Sequence, residues 1–269
     1  MVSLCGIGGL ITDYPFDEEE AEICRNLLVS LVRRGEDAWG FFDGRYVYKE
    51  PGSFVESKYY DKLPDMLIGK RIFLCHTRLA TRGTPKKNRN NHPFVLRPFV
   101  FAHNGTLFYT DAFKNEWRIE TDSFWLLYWI WKEYQTSLNP AEAIKRGVRH
   151  VRGGYACWLY NFDDGATYLF RNHYNPAMTV YYEREQEKGR GVLFGSDARS
   201  LFDALGVTKI RIKALESGLI YKIVKGEISV MDWFKYPPMR WWEMRRYDLI
   251  HSRYKKYIEE TLEVVRDEG

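Results

Sequence analysis

Residues 5–12 read CGIGGLIT, one cysteine and three glycines at the head of an apolar run. The run has the length and character of a β-strand, and DEEE at 17–20 supplies the acidic first turn of an amphipathic helix. That helix carries Leu27, Leu28, Leu31 and Val32 on its apolar stripe and stops at Gly35. One residue is left unexplained. A thiol in a glycine-rich segment can be buried filler, a metal ligand, half of a disulfide or a nucleophile, and the rest of the chain decides among these.

Outward from that segment the pattern is mostly β. GFFDGRYVYKE (40–50) places Asp-Gly between apolar arms and predicts a hairpin, while RIFLCHTRL (71–79) and RPFVFAHNG (97–105) predict central strands separated by a polar loop. TDSFWLLYWIWKEY (121–134) and NPAEAIKRGVRHV (139–151) predict two helices, the second with a proline near its start. Strands resume with GYACWLYNF (154–162), ATYLFRN (166–172), MTVYYE (178–183) and GVLFGS (191–196), and continue to about Trp233. Two blocks of strands flanked by helices imply an α+β fold with antiparallel sheets. KYPPMRWW (235–242) then marks a boundary, so that 1–235 reads as one domain and 236–269 as a C-terminal helical extension. In the extension Tyr247, Ile250, Tyr254, Ile258, Leu262 and Val265 recur at helical spacing, which suits either a helix docked on its own domain or one that binds a partner.

The chain of 269 residues has 40 basic and 36 acidic side chains, a net charge of +4, which requires neither a nucleic acid nor an anionic membrane as partner. No stretch is long and apolar enough to span a membrane and no signal peptide is recognisable, so a cytoplasmic protein is expected. The four cysteines, Cys5, Cys24, Cys75 and Cys157, are too sparse for a disulfide framework. They form no metal-ligand spacing either, and Cys75 and His76, as strand neighbours, point to opposite faces. Cys24 and Cys157 sit in apolar runs and read as core. Cys5 remains.

Four further segments gather polar and sterically special residues beside strands: RRGEDAWG (33–40), HTRLATRGTPKKNRNNHPF (76–94), FAHNGTL (101–107) and ETDSF (120–124). Each alone has an ordinary explanation, since Asn-Gly is usually a turn, a lone arginine a surface charge, and Asp122 before a helix an N-cap. The basic run Arg82, Lys86, Lys87 and Arg89 reads as a solvated loop, and the glycines of CGIGG lack the spacing of a phosphate-binding loop.

The order of these segments is more specific. Cys5-Gly6-Ile7, then Arg34-Gly35 with Asp37 and Gly40, His76-Thr77-Arg78 with Thr81 and Gly83, His92-Pro93, His103-Asn104-Gly105 and Thr121-Asp122 resembles the class II glutamine amidotransferase family, from Cys5 to about Leu205. The resemblance implies a four-layer αββα sandwich of the N-terminal nucleophile hydrolase type. It implies that Cys5 is the nucleophile on the glutamine side-chain amide, with its own free α-amino group as base and acid. It further implies that Asn104 and Gly105 form the oxyanion hole, that Arg78 with Thr81 holds the substrate α-carboxylate, and that Asp122 accepts its α-ammonium. Arg34 and Asp37 support the nucleophile region, and the segment from Arg78 to about Lys87 is a flap over bound glutamine. No cofactor and no metal are implied. The chain departs from the family pattern at Leu79, Arg82 and Phe124, and by the residues Met1–Leu4 ahead of Cys5, read as a leader that must be cleaved to free the amine. No G-x-x-x-x-G-K-[ST] or S-G-G-x-D-S motif for acceptor activation is found, so a stand-alone glutaminase feeding a separate synthetase is expected. The alternative is a non-catalytic protein that binds glutamine or a related amino acid with Cys5 unprocessed.

Overall fold

The computed structural model describes residues 5–109, 116–174, 180–186 and 189–251. Two antiparallel sheets face each other. The first has seven strands in the order β11 (Lys213–Ala214), β9 (Val180–Gln186), β10 (Gly189–Gly195), β1 (Gly6–Thr12), β4 (Ile72–Arg78), β2 (Ala38–Phe42) and β3 (Val47–Pro51). The second has six, β13 (Glu227–Trp233), β12 (Leu219–Val224), β8 (Ala166–Arg171), β7 (Val151–Asn161), β6 (Phe99–Tyr109) and β5 (Phe94–Leu96). Helices α1 (Glu18–Val32), α2 (Leu63–Leu67) and α5 (Ala198–Leu205) cover the first sheet, and α3 (Ser123–Ser137) and α4 (Pro140–Gly147) the second. The expected αββα sandwich is what the chain forms.

Three apolar layers hold it together, one between the sheets and one under each set of helices. Strand β7 shows why its sequence is apolar throughout: Tyr155, Cys157 and Leu159 face the α3–α4 layer, whereas Ala156, Trp158 and Tyr160 face the other sheet. The Trp158 indole also donates to the Cys75 carbonyl at 3.1 Å, which joins the two sheets at their centre. Cys24 and Cys75 lie in the α1 layer and Cys157 in the α3 layer, all buried and free.

The glycines of β1 fit the same geometry. Ile7 and Ile11 face the inter-sheet layer, and Leu10 faces α1. A Cβ on Gly8 would lie 3.1 Å from both Leu27 and Leu31, so bare backbone at this position lets α1 lie close against the strand. Helix α1 begins with a capping box, in which the Asp17 carboxylate accepts from the Glu19 N–H (2.9 Å) and Glu20 accepts from the Asp17 N–H (3.2 Å). Among the described residues no helix is long and apolar enough to cross a membrane.

Past Pro237 and Pro238, α6 (Trp241–His251) packs on the second sheet. Met239, Glu243 and Tyr247 are buried, and the Tyr247 hydroxyl stands over the backbone of Gly154 in β7. Trp241 and Leu249 are 67% and 80% exposed, so the helix has one docked face and one bare one. The side chain of Ile250 and the further repeat positions Tyr254, Ile258, Leu262 and Val265 lie outside the described residues, as do Met1–Leu4.

Candidate active site

Cys5 heads β1, the central strand of its sheet, and has the same strand parity as Ile7, which places it on the inter-sheet side at the open end of the sandwich. Its Sγ lies 3.5 Å from the Leu79 carbonyl and 3.4 Å from the Leu79 N–H. Arg34 holds the backbone behind it: Nε donates to the Cys5 carbonyl (3.2 Å) and Nη1 to the Asp197 carboxylate (2.8 Å). Asp37 acts one step further out, its carboxylate accepting from the Ala80 N–H at 2.7 Å, which fixes the segment that brings Leu79 to the thiol. Arg34 and Asp37 thus brace Cys5 and the Leu79–Ala80 segment from different sides.

Asn104 lies on the inter-sheet face of β6, in line with Val100 and Ala102, and is fully buried. Gly105 follows with φ of +140°, a conformation L side chains rarely adopt, and a Cβ there would fall inside the Gly154 carbonyl oxygen of the neighbouring strand. This position requires glycine. Ser196, immediately after β10, lies between the two strands: its Oγ accepts from the Ile7 N–H (2.8 Å) and from Asn104 Nδ2 (3.5 Å), and its hydroxyl donates to the Ile7 carbonyl (3.3 Å).

Arg78 ends β4 with its side chain almost wholly buried. Nη1 donates to Asn91 Oδ1 (2.7 Å), and Nη2 donates to the carbonyls of Arg82 and of Gly83, the latter at 2.9 Å. The guanidinium therefore holds the backbone of residues 82–83, in the segment read above as a flap, against the end of β4. Thr81 is exposed on that flap. Asp122 occupies the N-cap position of α3 but does not cap it; its carboxylate turns away from the helix and accepts from the Leu107 N–H of β6 at 2.7 Å. The ordinary explanation of that aspartate fails, and a buried carboxylate is left on the side of the site facing Cys5 and Arg78.

These groups act on one another electrically. Burial pushes the Cys5 thiol up to about 11, against the lowering effects of the Leu79 N–H, Arg78 and Arg34, with Asp122 adding to the rise. At neutral pH it is a thiol and needs a base. Beneath the flap, His76 and His92 stack with centroids 3.9 Å apart, and burial keeps both, together with His103, uncharged near neutrality. Lys49 donates to the Asn91 and Pro93 carbonyls (2.6 and 3.0 Å) and is lowered to about 8 by burial and by Arg78.

Of the residues expected from sequence, Cys5, Asn104, Gly105, Arg78 and Asp122 come to one end of the sandwich, with Arg34 and Asp37 behind them. Sequence reasoning missed the backbone of Leu79, the amide of Asn91 and the pair Ser196–Asp197. The only signal for that pair was GSDARS (195–200), where Asp197 is also the N-cap of α5, accepting from the Ser200 N–H at 2.8 Å. The departures at Leu79 and Arg82 contribute main-chain atoms to the site. Phe124 is core, edge-on to Phe94 and Trp117.

Residues 18–153 match the family model described as class II glutamine amidotransferases. Among individual proteins, the chain is 27% identical over 238 residues to a glutamine–fructose-6-phosphate aminotransferase (isomerizing) of Bacillus thuringiensis subsp. konkukian, covering 84% of this chain and 37% of that protein. It is 26% identical over 208 residues to the enzyme of that name from Rhizobium meliloti, covering 74% and 32%. The chain thus spans about a third of the length of the curated relatives it matches. Its fold is similar to that of the B. subtilis glutamine phosphoribosylpyrophosphate amidotransferase solved with ADP and GMP, at TM-score 0.61 and 17% identity over 84% of this chain and 49% of that one. It is also similar to a class II glutamine aminotransferase domain protein from Silicibacter pomeroyi, at TM-score 0.55 and 16% identity over 86% of this chain and 100% of that one.

Proposed function

Because the chain belongs to the class II glutamine amidotransferases, we propose that it hydrolyses the side-chain amide of L-glutamine at Cys5 and passes the ammonia to a separate acceptor enzyme. The observation that carries this reading is the grouping of a thiol, a buried amide on a strand of the opposite sheet, a guanidinium and a buried carboxylate at one end of the sandwich. The α-carboxylate of glutamine pairs with Arg78 and its α-ammonium with Asp122, which sets the γ-amide over the thiol. Cys5 Sγ attacks the side-chain amide carbonyl carbon (Cδ), the oxyanion takes hydrogen bonds from Asn104 Nδ2 and the Gly105 N–H, and ammonia leaves from the tetrahedral intermediate with the proton taken from the thiol. Water then hydrolyses the thioester to glutamate.

The base in this scheme is the α-amino group of Cys5, which model amines place near ~7.7 to 8.0. With Leu4 attached, that nitrogen is an amide and cannot take the thiol proton, which favours the second reading, an amino-acid-binding protein, for the unprocessed chain. The mass of the purified protein separates the two, a start at Cys5 supporting the enzyme. The chain lacking only residues 2–4 should release ammonia from glutamine. Arg78→Ala should raise its KM by roughly 100-fold, since a charged pair contributes about 3 kcal/mol, with a smaller change in kcat. An unchanged KM would assign the carboxylate to another group.

The acceptor contact in this reading is the bare face of α6, where Trp241, Arg245 and Leu249 follow at helical spacing beside Trp242, tryptophan and arginine being the residue types enriched at interface hot spots. Trp241→Ala with Trp242→Ala should leave glutaminase activity and thermal midpoint unchanged and abolish co-purification of an ammonia-consuming partner. Retained co-purification would place the contact elsewhere.

A further inference from the structure

We propose that Ser196 is a positioning residue that aims the Asn104 amide at the reaction centre and fixes its spacing from Cys5; this rests on the glutaminase reading above. The ladder between β1 and β10 ends at Gly8 opposite Gly195, because β10 there turns into α5. The Ser196 side chain continues that ladder in place of backbone, giving and taking one hydrogen bond with Ile7, two residues beyond the nucleophile. Its remaining acceptor capacity goes to Asn104 Nδ2 on the opposite sheet. A hydroxyl has one donor and two acceptor sites, and all three are used here in a position 1% exposed.

The consequence for the amide is directional. Nδ2 carries two hydrogens, and the one taken by Ser196 fixes the plane of the side chain and so the line along which the other points. An oxyanion donor acts through preorganisation, since it must be aimed before charge develops. The next residue, Asp197, holds Arg34, which holds the Cys5 carbonyl. One dipeptide therefore ties together the strand that carries the thiol and the strand that carries the oxyanion donor. The role differs from that of Asn104 itself, because Ser196 touches no reacting atom: its bonds to Ile7 hold the hydroxyl in place, and the hydroxyl acts through the amide.

The test uses the chain lacking only residues 2–4, with glutamine as substrate. Ser196→Ala should lower kcat at least tenfold and leave KM within twofold, Ser196→Thr should restore kcat to within threefold of wild type, and Ser196→Ala should cost less than twofold when Asn104 is already alanine. A kcat for Ser196→Ala within twofold of wild type, a Thr variant as slow as the Ala variant, or full multiplicative losses in the double variant would each overturn the role. A wild-type protein that fails to hydrolyse glutamine overturns the functional reading instead. In that event the side-chain amide signals of Asn104 in a 15N spectrum, identified by their loss in Asn104→Ala, still decide: they should shift in Ser196→Ala and hold in Ser196→Thr, and signals unmoved in both overturn the proposal.

Discussion

Cys5→Ala should abolish glutamine hydrolysis, a loss of roughly 10⁴-fold or more, while glutamine still binds with unchanged affinity by calorimetry. Arg78, Asp122 and Asn104 hold their places through contacts with Asn91, the flap carbonyls, Leu107 and Ser196, none of which involves the thiol. Weakened glutamine binding would mean that the thiol shapes the pocket as well as reacting in it. The same thiol gives a pH signature. Raised to about 11 by burial, it is neutral below that pH and becomes thiolate as the pH rises, so iodoacetamide labelling of the unprocessed chain should accelerate about tenfold per pH unit from 7 to 10. In the chain that begins at Cys5 the free amine takes the thiol proton, and labelling near pH 8 should be faster than in the unprocessed one.

The largest effect on stability is expected at Asp197, which reaches Cys5 only through Arg34. Its carboxylate takes Arg34 at 2.8 Å and Arg33 at 2.5 Å, with side chains 3% and 23% exposed. Burial by itself would raise this carboxyl, but the two guanidiniums and the Ser200 hydrogen bonds outweigh it and hold the group below its usual range. Asp197→Ala takes the carboxylate away from the buried Arg34 charge and removes the α5 cap, a cost of about 3–5 kcal/mol and a fall in the thermal midpoint of about 10 °C. Because the folded-state pKa is depressed, the contribution is complete above the ordinary carboxyl range and is lost as the pH falls through about 4 and below. The variant should therefore differ most from wild type at neutral pH and least in acid, as followed by thermal melts at several pH values. A constant difference across the series would show that the charge is immaterial.

Much of this architecture could be read from the chain, for reasons tied to particular residues. The alternation in β1 and the unbroken apolar run of β7 each follow from which faces are covered, and the capping box at Asp17 is a signal confined to four residues. The hairpin at Asp43-Gly44 was legible too, although its strands close at Phe42 opposite Val47, because the Asp43 carboxylate accepts from the N–H groups of Arg45 and Tyr46 and widens the turn to four residues. What stayed hidden depends on contacts distant in sequence. Asp122 has the signature of an N-cap, and only the approach of the Leu107 N–H across from β6 shows its carboxylate turned the other way. Ser196 and Asp197 meet Ile7 and Arg34, residues far earlier in the chain, and nothing local in GSDARS announces either contact.

The central place of β1 also has a consequence for how the protein is made. Its two ladder neighbours are β4, at Ile72–Arg78, and β10, at Gly189–Gly195. As the chain leaves the ribosome the first neighbour arrives early, but until Gly195 emerges the strand bearing Cys5 has an open edge. Ser196 and Asp197, which lock that strand to Asn104 and Arg34, come directly after it. That end of the sandwich is therefore among the later parts to form, and a chain made only as far as α3, though it already contains Cys5, Arg78, Asn104 and Asp122, lacks the residues that tie β1 to Asn104 and Arg34.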